Sequence, residues 1–174
     1  MTQTSLLTDP AGPVTHRHAH ALADRLEQGA HALAAFASAL TDAEWQTALP
    51  RDGRTVGVVV HHVASVYPVE IQLAQTVAAG APVTGVTMDD IHEMNARHAL
   101  EHASVSRDTA LQLLRENSAA AADAIRALTD AQLAQAATVS LYADAPLTCQ
   151  FVLEDHAVRH TYHHLAGIRR ALRG

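Results

Sequence analysis

Two imidazoles four residues apart on a helix lie one turn apart on the same face, which is how a helix offers two ligands to one metal ion. The chain holds 13 histidines in 174 residues, a density at which about one His-x-x-x-His pair is expected by chance. It has four: His16/His20, His98/His102, His156/His160 and His160/His164. Position on the apolar stripe separates them. Leu153, Ala157, His160, His164, Ile168 and Ala171 step by three or four, so His160 and His164 fall on the stripe expected to face the interior. Buried neutral imidazoles need partners for their ring nitrogens, and a metal serves both at once. His16/His20 lies near the N-terminus, and His98/His102 shares a polar stretch with Arg97 and Glu101. Both of those pairs are expected to be solvated.

A third ligand is available in the run VGVVVHHVASV (56–66). On a helical projection Val58, His62, Val66, Val69 and Leu73 share a face, which makes His62 the inward residue and leaves His61 on its flank. A core histidine satisfied by a backbone carbonyl or a carboxylate would show the same spacing, so the residues leave both readings open. Around the pair in the last helix, Glu154, Asp155, His156 and Tyr162 are near in sequence and are candidates to orient the ligands. His156, one turn before His160, could line the mouth of the site or carry a proton. Tyr67 and Glu70, further along the His62 helix, could face the same cavity.

These residues must be positioned by helices. The sequence is 48% hydrophobic and 3% aromatic, with its apolar mass in Ala, Val and Leu, and Ala and Leu lose least on entering a helix. Leu22, Leu26, Leu33, Phe36 and Leu40 predict a first helix from Val14 to about 40, with Pro13 suited to its first turn. Thr41, Asp42 and Glu44 read as a cap on a short turn before Pro50. Thr55 caps a helix over about 56–79 that Pro68 should kink. Thr87, with Asp89 and Asp90, opens a polar helix over about 88–103, and Ser106 opens one over about 107–128 containing AAAADAIRAL. Thr129 and Asp130 begin another short turn. Residues 136–147 read as a loop with a brief extended segment, and Thr148 caps a final helix over about 149–172. Four long helices and a shorter fifth bury their stripes most simply as an all-α bundle. Residues 1–12 form a flexible leader and 13–174 a single domain.

Composition narrows the function. The formal net charge is −6, and all 12 basic residues are Arg; no basic stripe exists to replace phosphate counterions, so a nucleic-acid partner is not expected. The single cysteine, Cys149, permits no internal disulfide and no Cys-based zinc site, and reducing cytoplasm is the expected compartment. At a helix start a thiolate would be stabilised, yet Cys149 reads better as a small packing residue. No signal segment and no long uninterrupted apolar run argue for secretion or a membrane. Arg159, Arg169, Arg170 and Arg173 suit the negative end of the last helix.

The helix after RTVGVVV, the middle segment MNARHALEHASVS and the terminal RHTYHHLAGIRRAL resemble the DinB-like superfamily of four-helix bundles, which includes YfiT-type metal-dependent hydrolases. The resemblance spans nearly the whole chain and implies a DinB-like four-helix bundle with an additional short helix. It implies that His62, His160 and His164 hold a divalent metal, zinc or nickel; beside them, sequence position makes His156 and Tyr67 the catalytic candidates. Where some relatives carry Gly-Gln after the last histidine, this chain has Leu165-Ala166-Gly167. Relatives transfer bacillithiol or mycothiol, and one isomerises maleylpyruvate with mycothiol. The reaction implied is transfer of a low-molecular-weight thiol to an electrophilic small molecule. The absence of Lys and the Ala/Arg-rich composition point to a GC-rich genome, where mycothiol would be the co-substrate. Hydrolysis by metal-activated water would use the same histidines, and so would a non-enzymatic stress-response or binding module in which a His cluster ties helices together. The apolar faces also admit a homodimer.

Overall fold

Hydroxyl side chains set the helix starts. Thr41, Thr55, Thr87, Ser106, Thr129 and Thr148 each accept a hydrogen bond from the backbone N–H three residues on, a contact typically worth about 1 kcal/mol. The computed structural model describes residues 14–51 and 53–173; the leader at 1–12 and the turn position of Pro13 lie outside them. α1 (Arg17–Ser38) begins after His16 without a side-chain cap, and from the hydroxyl starts run α2 (Asp42–Trp45), α3 (Val56–Ala78), α4 (Met88–Glu101), α5 (Arg107–Arg126) and α6 (Asp130–Ala134). The expected loop at 136–147 is instead a small antiparallel hairpin of β1 (Ala136–Val139) and β2 (Ala145–Thr148), joined by a 3-10 turn. The last helix comprises α7 (Cys149–Val152), a π-helical turn (Leu153–Val158) and α8 (Arg159–Leu172).

The long helices form a four-membered ring in which α1 packs on α5 and the C-terminal helix, and α3 packs on the same two. The first two long helices of the chain, α1 and α3, are therefore diagonal. Leu22, Leu26, Leu33, Val59, Val63, Leu114, Ile125 and Ile168 fill the centre. Arg126 locks α5 to α1 through Glu27 at 2.5 Å and Asp24 at 3.0 Å. Gly57 has a steric reason: a Cβ there would meet the Trp45 ring at 2.5 Å, so only glycine lets α3 approach α2 this closely. Pro68 removes the N–H that would bond the Ala64 carbonyl, and Asn117 Nδ2 of α5 donates to that carbonyl at 2.9 Å.

Two expectations about faces need correction. Of the expected stripe, Val58 and His62 are buried, Val66 and Leu73 are half-buried and Val69 is 51% exposed; the buried face of α3 also takes in Val59, Val60, Val63, Tyr67 and Ile71. His61 is not on a flank: it and His62 are each 5% exposed, because α4 covers the side of α3 that the ring leaves open. The π turn adds one residue to its turn of helix and so rotates the stripe beyond it. Thr161, Leu165 and Ile168 become the buried face of α8, while His160 and His164 sit half-buried at its edge.

The hairpin fixes the approach to α4. Val83 N donates to Thr138 O and Ser140 N donates to Val83 O, each at 2.9 Å. Ser140 Oγ then donates to Val86 O at 2.8 Å, one residue before the cap of α4. This helix has no buried residue along its length.

Candidate metal centre

Helices α3 and α8 bring His62, His160 and His164 together. Their ligand nitrogens all lie within 4.8 Å of one another, and Nε2 of His160 is 2.8 Å from Nε2 of His164. The His62 ring stands edge-on to both, with centroids 5.2 and 5.4 Å away. Burial holds the His62 imidazole far below its ordinary range, at about 2, with His160 and Arg54 adding to the effect. Its ring is therefore neutral at physiological pH, with a lone pair to offer.

Glu70, two turns beyond His62 on α3 and 8% exposed, faces the opposite nitrogen of His160. The Nδ1–Oε1 separation is 2.9 Å, at ion-pair distance though not aligned as a hydrogen bond. A carboxylate on the far nitrogen turns the ligating nitrogen toward the centre and raises its basicity. The donor set fits a divalent cation. It consists of three imidazoles with one buried carboxylate behind them, and the second Glu70 oxygen is buried without a hydrogen-bond partner.

The triad opens onto a cavity of about 750 Å³ whose wall includes Arg51, Arg54, Arg170, His163, and His92 and Asn95 of α4. Position at the edge of the α8 stripe gives His160 and His164 this access. Three imidazoles that could hold an ion beside an open cavity would leave room for a further ligand.

The other candidates are placed elsewhere. Tyr67 is 1% exposed, its hydroxyl paired with Thr161 Oγ1 at 2.6 Å, and burial pushes its phenol up. It lies on α3 beyond His62 and off the cavity wall. His156 is half-buried in the π turn, its Nε2 3.1 Å from the Tyr142 hydroxyl, and it too is off the cavity wall; burial lowers its pKa. The expected orienting groups are engaged otherwise: Glu154 pairs with Arg25 at 3.0 Å, Asp155 with Arg159 at 2.7 Å and with Tyr142, and the Tyr162 ring lies against Gly29. Cys149 is fully buried, and burial pushes its thiol up to about 11, so packing outweighs any effect of the helix start. His16 places Nδ1 2.9 Å from the Leu128 carbonyl. His98 and His102, expected to be solvated, are half-buried against His61. Four-residue steps at Leu153, Ala157, Thr161 and Leu165 were the available sign of the π turn, since they outrun the 3.6-residue repeat.

Among curated protein sequences none matches this chain. Among solved structures, YfiT from Bacillus subtilis, described as a probable metal-dependent hydrolase with an unusual four-helix bundle topology, superposes with a TM-score of 0.72 at 21% identity, covering 95% of this chain and 91% of that one. The mycothiol-dependent maleylpyruvate isomerase superposes with a TM-score of 0.66 at 14% identity; 88% of this chain is covered but only 62% of that one. The family model described as the DinB superfamily matches residues 25–168, and the chain belongs to that superfamily.

Proposed function

We propose that this protein is a metal-dependent enzyme that transfers a low-molecular-weight thiol of the mycothiol type to an anionic, electrophilic small molecule. The observation that carries this reading is the three-imidazole group opening onto a cavity walled by Arg51, Arg54 and Arg170. A divalent cation such as zinc or nickel, held by His62, His160 and His164, would supply Lewis acidity that lowers the pKa of a thiol toward neutrality. His62 is shielded from water and stays neutral, so its nitrogen remains a ligand and not an acid. Glu70 holds the His160 ring from behind. The guanidinium groups offer forked donors that hold a substrate carboxylate and orient the carbon to be attacked. His163, at the cavity wall and kept low by burial and by Arg159, is neutral and can accept a proton there.

A mycothiol-type thiol and an unsaturated dicarboxylate, incubated with metal-loaded protein, should show loss of free thiol that is abolished by chelator and by His160→Ala. No metal-dependent loss of thiol with any thiol and anionic electrophile would overturn the reading. Likeness to YfiT favours a second reading, hydrolysis by water activated at the same residues. That reaction forms product with no thiol present, and its rate rises with pH near neutrality.

A further inference from the structure

The histidine next to His62 heads a second group. His61 reaches away from the α8 pair toward α4, where His98 and His102 stand one helical turn apart. Their ligand nitrogens also lie within 4.8 Å of one another. His61 Nδ1 is 2.9 Å from His98 Nε2, and the His102 ring centroid is 4.0 Å from that of His61 and 4.6 Å from that of His98. Among the described residues no carboxylate pairs with any of the three. A hydrogen bond between two imidazoles engages one nitrogen of each, and Nδ1 of His98 is buried with no hydrogen-bond partner.

The setting of α4 is the second observation. A helix with no buried residue has little apolar surface to hold it on the bundle, yet α4 packs on α3 and supplies His92 and Asn95 to the cavity wall. Its apolar contact is thin, Ile91, Met94 and Ala99 being only half-buried, and leaves room for a further fastening. The point where it meets α3 is the three-imidazole group.

We propose that His61, His98 and His102 form a second binding site for a divalent transition metal, which clips α4 to α3 and so holds one wall of the cavity. Imidazole nitrogens without carboxylates suit zinc, nickel, cobalt or copper better than magnesium or calcium. His98 and His102 are half-buried and no carboxylate steadies any of the three, so this site binds more weakly than the His62 group. The two sites adjoin, the rings of His62 and His98 being 5.5 Å apart.

The test is Co²⁺ binding to metal-stripped full-length protein, read by equilibrium dialysis with elemental analysis, alongside hydrogen exchange of the α4 amides. Wild type should bind two Co²⁺ per chain. The His98→Ala/His102→Ala and His160→Ala/His164→Ala variants should each bind one. In wild type and in His160→Ala/His164→Ala, Co²⁺ at about ten times Kd should slow α4 exchange about tenfold; in His98→Ala/His102→Ala it should not. Circular dichroism checks that both variants remain helical, which the absence of buried residues on α4 favours for the first. If His98→Ala/His102→Ala binds as many ions as wild type, or Co²⁺ leaves α4 exchange unchanged in His160→Ala/His164→Ala, the second site is overturned. Failure of the first site reads differently: His98→Ala/His102→Ala would then bind none.

Discussion

His61 and His62 are neighbours on α3 and equally buried, yet the groups they head are built differently. The His62 group draws its partners from α8, a member of the four-helix ring, and has Glu70 behind His160. The His61 group draws its partners from α4, a helix outside the ring, and among the described residues has no carboxylate behind it. A ligand pair on a ring helix is held by core packing whether or not a metal is present. On α4 the metal contributes to holding the helix itself. The contrast teaches that spacing on one helix sets which nitrogens can converge, whereas the neighbouring elements set how firmly they are held.

The largest expected effect breaks the first group outright. His160→Ala should weaken the tighter metal site by more than the ~100-fold that limits changes behind a ligand, as read by competition with a chelator, while binding at the His61 group persists. Glu70→Gln should keep the shape but lose the charge, weakening the same site by about 10- to 100-fold. An unchanged affinity would show that Glu70 does not support His160 and would erase the contrast between the two groups.

Acid sharpens the comparison. His62 holds its pKa at about 2 and His98 at about 4, both mainly through burial, whereas the unfolded chain binds protons at its histidines below about 6.5. As pH falls below that value the unfolded state takes up protons that the native state refuses, so metal-free protein loses stability. The His98 contribution stops growing near pH 4, and that of His62 continues toward pH 2. Each fully refusing group contributes a slope of ~1.4 kcal/mol per pH unit. Urea unfolding across pH 3–7 should show this slope, flattened alike by His62→Gln and His98→Gln above about pH 5, and flattened more by His62→Gln near and below pH 4.

The smallest effect concerns α4 alone. Thr87→Ala removes the hydroxyl that accepts from Asp90 N and donates to Asp90 Oδ2, leaves the bond from the Thr87 backbone N–H to Asp90, and should cost that helix ~1 kcal/mol. Its amides should then exchange about fivefold faster and the His61 site weaken, with the His62 site unaffected. Weakening of both sites would mean that α4 and the ring are coupled more tightly than their packing suggests.

Local chemistry made most helices legible. Each hydroxyl cap acts on an N–H three residues away, and each apolar stripe repeats within a turn, so Thr55, Thr87, Ser106 and Thr148 mark helix starts without reference to the rest of the chain. The His160/His164 pair and its likeness to the DinB superfamily pointed to the same three histidines that the fold brings together. The hairpin was harder to see: β1 and β2 are four residues each, and their pairing depends on a turn through Ala143 and Asp144 at positive φ, where neither Gly nor Asn announces it.

What the sequence by itself determined is the set of helices and the pairs of imidazoles that share a face, because both follow from interactions within four residues. Tertiary structure alone decided that Glu70 and not Asp155 stands behind His160, and that the π turn moves His160 and His164 from the centre of the stripe to its edge. It also decided that α4 lies against His61, turning two apparently solvated histidines into two members of a second cluster of three. These outcomes depend on which helices adjoin and how each is rotated about its axis, and rotation is fixed by packing across the whole bundle.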